Sequence, residues 1–158
     1  MGVYYFYIND TKKEYFCTDP SGQDIKQYAL GRNVGSRALS YLLLDNDPYY
    51  TGVEHPLIGS WMGDHFFVSG DDYYEKFKQM QSDYRDIGQD IIEMLVSLNP
   101  FDLFHHGGVK WLVRLIEGND HVTLTKDMRE QIRQEFERSY HLRADEDVKR
   151  IIDALASQ

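Results

Sequence analysis

The chain has 158 residues and a mass of 18.6 kDa, enough for one domain whose core needs neither a metal nor a disulfide. Hydrophobic residues make up 42% and aromatic residues 14%, with 12 tyrosines, which excludes a mainly disordered chain. No apolar run approaches the ~20 residues of a membrane-spanning helix, so no membrane partner is expected.

Lys and Arg number 17 and Asp and Glu 26, a formal charge of −9. Residues 61–100 hold eight acidic and three basic side chains, so more than half of the excess sits in a quarter of the chain. A negative field repels phosphate backbones and speeds encounter with a basic protein, so a protein partner is expected and nucleic acid is not. Cys17 is the single cysteine, which rules out an internal disulfide and points to a reducing compartment. The opening Met1-Gly2-Val3-Tyr4-Tyr5 has no basic leader, and Phe6 stands where a myristoylation motif needs Ser or Thr. A cytoplasmic protein is expected.

Val3–Asn9, rich in Tyr, Phe, Val and Ile, reads as a strand. Asn9-Asp10-Thr11-Lys12 is turn chemistry, and Lys13–Cys17 is the return strand of a hairpin. Asp24–Leu30 fits a short helix or a strand. Ser36 is a cap for a helix over Arg37–Leu44, and residues 45–56 form a loop whose main apolar content is Tyr49 and Tyr50. Leu57–Trp61 and His65–Ser69 flank Met62-Gly63-Asp64 and read as a second hairpin, expected to join the first in one antiparallel sheet with Trp61 buried. Asp71 or Asp72 is a cap for the next helix.

From Tyr73 the period moves towards 3.6. Helices are predicted over Tyr73–Ser82 and over Asp83–Leu98, the latter with Tyr84, Ile87, Ile91, Met94, Leu95 and Leu98 on one stripe. Asn99-Pro100 stops it. Phe101–Gly108 reads as a loop or broken turn, Lys110–Glu117 as a short helix and Val122–Leu124 as a stub of strand. Thr125 caps a helix over Lys126–Tyr140, and Asp145 caps a last one ending at Ala156. These last two are expected to pack as an antiparallel pair leaning on the Ile87–Leu98 stripe. Strands first and helices later give an α+β single domain over 1–158, mainly β in 1–72 and mainly α in 73–158.

No catalytic signature stands out. Asp64, His65, Asp71 and Asp72 offer oxygen and imidazole ligands within nine positions, which a divalent ion accepts, but turns and helix caps also call for these residues. His105-His106 point different ways on any regular element and do not chelate one ion together. Cys17 has no neighbouring base and reads as a structural thiol. Ser36 lacks the flanking glycines of a nucleophile elbow, and the Gly31–Gly35 loop lacks the Lys-Ser/Thr of a phosphate-binding loop. Exposed tyrosines are good interface material.

Tyr4-Tyr5-Phe6-Tyr7-Ile8-Asn9 with Lys12-Lys13-Glu14-Tyr15, Pro56–Asp64 with Gly70-Asp71-Asp72-Tyr73, and Tyr84-Arg85-Asp86-Ile87-Gly88 together resemble a family of small bacterial and phage-borne proteins. The resemblance covers pieces of 3–98 and implies a compact α+β unit, with no mechanism attached. The leading expectation is an acidic protein-binding module, such as an immunity or anti-defence inhibitor, without cofactor or metal. Its expected binding residues are Tyr49, Tyr50, Asp64, His65, Asp71, Asp72, Tyr73 and Tyr74. The alternatives are a metal-dependent hydrolase or ligand-binding enzyme built on Asp64, His65, Asp71 and Asp72, and a nucleic-acid mimic.

Overall fold

A computed structural model describes residues 3–20, 30–31, 33–45, 54–72, 74–119, 121–143 and 146–157, with the side chains of 74, 76 and 140–143 outside the described set. The predicted segment Asp24–Leu30 lies outside these residues except at its last position, as do Tyr49, Tyr50, Tyr73 and Asp145.

The fold is α+β, as its strand-then-helix pattern predicts. Strands β1 (Tyr5–Asn9) and β2 (Glu14–Cys17) form the N-terminal hairpin. Lys13, at φ 58°, takes up the positive backbone angle that closes its turn. Strand β3 (Phe66–Gly70) pairs antiparallel with β1 on its other side, and a two-residue β4 (Arg85–Asp86) pairs parallel with β2. The sheet order is β3-β1-β2-β4. Residues 66–70 therefore join the first hairpin in one sheet as expected, but Leu57–Trp61 is no strand. It is a run of turns held by bonds such as Ile58 N–H to His55 O, at 3.0 Å, and Trp61 N–H to Leu42 O, at 3.0 Å. With its donors turned to its own chain and to α1, this segment has none left for a ladder.

Helix α1 (Val34–Leu42) is capped by Asn33 rather than Ser36. The Asn33 side chain, on extended backbone, accepts from Ser36 N–H at 2.9 Å, so the helix starts earlier than predicted. Gly35 sits directly under Thr18; a Cβ there would fall 2.0 Å from the Thr18 carbonyl oxygen. That close approach fastens α1 to the end of β2 through Gly35 N–H to Thr18 O, 3.0 Å.

Helix α2 (Tyr74–Asp83) matches its prediction within a residue. The predicted Asp83–Leu98 helix does not run through. Arg85 N–H donates to Lys13 O and Ile87 N–H to Tyr15 O, so the chain pairs with β2 over Arg85–Asp86 before α3 (Gly88–Leu98) begins. The stripe was legible because Ile87, Ile91, Met94 and Leu95 are all fully buried, but the sheet edge captured its first turn. Asn99 then caps α4 (Pro100–Glu117), with proline at the first turn. Residues 101–108, read from sequence as a loop, are helical up to a kink at Gly108, whose φ of 79° only glycine adopts without strain. Val122–Leu124 is not a strand; Val122 and Leu124 are buried in the irregular connection after α4. Thr125 Oγ1 accepts from Met128 N–H at 3.2 Å at the start of α5 (Lys126–Arg143), and α6 (Glu146–Ala156) closes the chain.

One continuous core joins Tyr7, Phe16 and Trp61 to the inward faces of α1 and α3 to α6. α5 and α6 pack on each other, α5 also on α3, and both on α4. On the inward faces of α5 and α6, Met128, Ile132, Phe136, Val148, Ile151 and Leu155 are buried and Ile152 is partly buried. Phe136 stacks on Phe101 at 4.6 Å between centroids. Asp102 on α4 accepts from Tyr41 at 2.9 Å and pairs with Arg37 at 3.2 Å, tying α4 to α1. No described helix is long and apolar enough to cross a membrane.

Candidate functional site

Alternation along the strands sends their side chains to two unlike places. Tyr7, opposite Phe16, belongs to the main core. Ile8, opposite Tyr15 on β2 and Phe67 on β3, faces the other way. With Phe6, Phe77, Met80 and Tyr84 these residues form a second, smaller apolar cluster under α2. Phe6 lies 4.6 Å from Phe77 and 6.0 Å from Tyr15 between ring centroids. α2 approaches the sheet through Phe77 and Met80 and is not among the closely packed element pairs.

A cleft opens on each side of this contact. The first, about 390 Å³, has Ile8, Phe67 and Met80 for walls and Lys13, Asp83 and Tyr84 at its polar end. The second, about 480 Å³, runs past Phe6, Tyr15 and Cys17 to Asp71, Asp86 and His121. Phe77 lines both. Lys13 is the only Lys or Arg lining either cleft among the described residues, and it is engaged: it donates to Asp10 at 2.9 Å and to the Tyr84 hydroxyl at 3.1 Å and lies 4.9 Å over the Tyr84 ring. Tyr84 also donates to Asp10. Bonding to Lys13 and then to Tyr84 holds the Asp10 carboxyl below its ordinary range, and the same bond to Asp10 raises Lys13. Burial pushes the Cys17 thiol up to about 12, so at neutral pH it is an un-ionised wall of the second cleft and no nucleophile.

The predicted site residues divide between the two ends of β3. At its start, Asp64 accepts from Asn9 Nδ2 at 2.8 Å and stands 3.7 Å from Lys12, while His65 is exposed, 3.9 Å from Asp10. At its far end, Asp71 accepts from Tyr4 N–H at 3.0 Å and Asp72 is exposed beside Gly70. Six residue steps along extended chain set His65 and Asp71 about 20 Å apart. The four are not brought together, and they lie farther apart than the ligands of one ion, which sit within about 2.6 Å of it. Among the described residues no three His, Cys, Asp or Glu side chains group as metal ligands. Tyr74 opens α2, with its side chain outside the described set. His105 and His106 are exposed on α4 before its kink.

Sequence reasoning missed the outer cluster and the Asp10–Lys13–Tyr84 group. A signal for the first existed: Phe6 and Ile8 alternate with Tyr7, Tyr15 alternates with Phe16, and Phe77 and Met80 are three apart. That is the pattern of a sheet covered on both faces. Comparison of the chain with protein-family models, with curated proteins and with solved structures gave no match.

Proposed function

We propose that the chain is an acidic protein-binding module that takes a basic segment of a partner protein on the outer face of its sheet, around α2. It would act in the reducing cytoplasm, in the manner of an immunity or anti-defence inhibitor from a bacterium or phage. The observation that carries the reading is the pairing of an apolar floor with a carboxylate rim. Phe6, Ile8, Phe67, Phe77 and Met80 offer apolar surface, and Asp71, Asp83 and Asp86 stand around it, with Lys13 at the first cleft already bonded to Asp10. A partner side chain with an apolar stem and a cationic head satisfies both parts, since long basic side chains bury their methylenes and keep the charge at the rim. Complementary charge then contributes encounter rate and selectivity.

Selection of peptides from a random displayed library against the full chain tests this. Recovered peptides should be enriched in Lys or Arg beside an apolar residue. Their binding should weaken with salt and drop on Asp83→Lys, an exposed position bonded to the neighbouring Ser82 hydroxyl. Recovery of peptides with no basic bias, or binding indifferent to Asp83→Lys and to salt, contradicts the proposal.

A further inference from the structure

The edge of β3 away from β1 lies beside this face. Along the ladder, Asp10 N–H donates to His65 O and Asp71 N–H to Tyr4 O, both at 2.9 Å. In an antiparallel pair the bonded positions alternate, so Phe67 and Ser69 face β1, while the N–H and C=O of Phe66, Val68 and Gly70 point away from the sheet. β3 is the outermost strand on that side, and among the described residues these outward groups have no backbone partner. Val68, at its centre, is 44% exposed. Phe66–Gly70 contains no charge, proline or glycine-rich bulge that would blunt the edge; the charges stand just outside it, Asp64 before and Asp71 and Asp72 after.

Resting on the protein-binding reading above, we infer that the partner segment adds to this edge as an extended strand, held by main-chain bonds to Phe66 and Val68 and by basic side chains near Asp64, Asp71 and Asp72. The charge selects the occupant. A second copy paired about Val68 would satisfy the same backbone groups, but it would set Asp64 of each copy towards Asp72 of the other, between two chains of charge −9. Like charges across a strand pair oppose pairing. A strand with Lys or Arg at both ends meets the same positions with opposite sign. Strand addition draws its affinity from main-chain bonds and its selectivity from the flanking side chains, which is how an uncharged edge with acidic ends would discriminate.

The test uses the full chain and two synthetic probes, each a short run of alternating Val and Thr, one flanked by Lys and one by Glu. Amide exchange is followed by NMR. The Val68 amide should exchange freely in the unbound protein and slow by about ten-fold or more when the Lys-flanked probe saturates it, with Phe67 and Ser69 protected throughout. The Glu-flanked probe should leave Val68 unchanged. Val68→Pro removes the outward N–H and leaves the β1-facing bonds, so it should keep the cooperative melt and lose the Lys-flanked probe. Failure of that variant to fold leaves the exchange measurement on the natural chain decisive. Strand addition is overturned by an unprotected Val68 at saturating Lys-flanked probe. If that probe instead shifts amides of α2, the protein-binding reading stands and only the edge is wrong. Equal protection by the Glu-flanked probe overturns the charge argument, and protection without any probe, with a doubled mass, assigns the edge to a second copy.

Discussion

Tyr7 and Ile8 are neighbours in β1 and equally hidden from solvent, yet they belong to different layers. Tyr7 enters a core that continues through Phe16 and Trp61 into α1 and α3 to α6. Among the described residues Ile8 clusters with Tyr15, Met80 and the half-buried rings around them, under α2. The inner face is covered by residues that are themselves covered; Trp61, Phe16, Leu42, Ile91 and Leu95 have no exposure at all. On the outer face, Phe6, Phe67, Phe77 and Tyr84 each keep part of their surface in water, and clefts flank the helix. Burial of apolar area stabilises in proportion to the area removed from water, so the inner face holds the fold and the outer face contributes the smaller share. A surface with little stabilising duty is the one that can reshape around a partner.

The largest break in this comparison is removal of α5 and α6. Truncation after Leu124 uncovers Ile91, Ile92 and Leu95 on α3 and the α4 side chains packed on both lost helices, and the product should aggregate or melt without cooperativity. A truncated chain that stays monomeric and melts at the full-length temperature contradicts a core shared across the whole domain. Next in size is Trp61→Ala. The indole is fully buried between Phe16 and Phe66, and its N–H donates to Glu14 at 3.1 Å; loss of the ring should cost about 3–5 kcal/mol in a denaturant titration. Phe77→Ala, the outer counterpart, removes a half-buried ring and should cost about 1 kcal/mol, with the cooperative transition kept. Equal losses at Trp61 and Phe77 would erase the distinction between the faces.

Two pH effects sharpen it further. Burial raises the Cys17 thiol from its ordinary 9 to about 12, so the folded chain favours the neutral form. Its contribution is complete below about pH 9, where the unfolded thiol is also neutral, and declines as pH rises from 9 towards 12. Thiol reagents at pH 8 should therefore modify the native protein far more slowly than the unfolded chain. The smallest effect belongs to the surface of α5. Bonding to Arg133 and then to Gln134 lowers the Glu130 carboxyl from 4.5 to about 2. That contribution is present above pH 4.5 and fades as pH falls towards 2, and Glu130→Gln should move the melting temperature little at neutral pH and less in high salt, because exposed pairs are screened.

The first hairpin and α5 are legible because one local rule governs each: turn residues between β-rich runs, and apolar residues at four-residue spacing behind a threonine cap. The errors fall where distant chain decided. Leu57–Trp61 is rich enough in apolar residues for a strand, but α1 and its own carbonyls took its hydrogen bonds. Arg85-Asp86 carries no strand signal and became one because Lys13 and Tyr15 offered free carbonyls at the sheet edge. Phe101–Gly108 reads in sequence as a loop or broken turn, whereas Asn99 and Pro100 start a helix there and Gly108 only bends it. Of the predicted site, Asp64, His65, Asp71 and Asp72 are visible in sequence as polar residues close along the chain, but their separation by the full length of β3 depends on where the strand itself lies.

Native-state hydrogen exchange tests most directly whether the inner face holds the fold and the outer face yields separately. Amides along α2, at Phe77 and Met80, should exchange through a local opening while those of Ile91, Ile92, Ile132 and Phe136 exchange only with global unfolding, the two groups converging as denaturant is added. α2 amides as strongly protected as those of α3 and α5 in plain buffer would contradict the account.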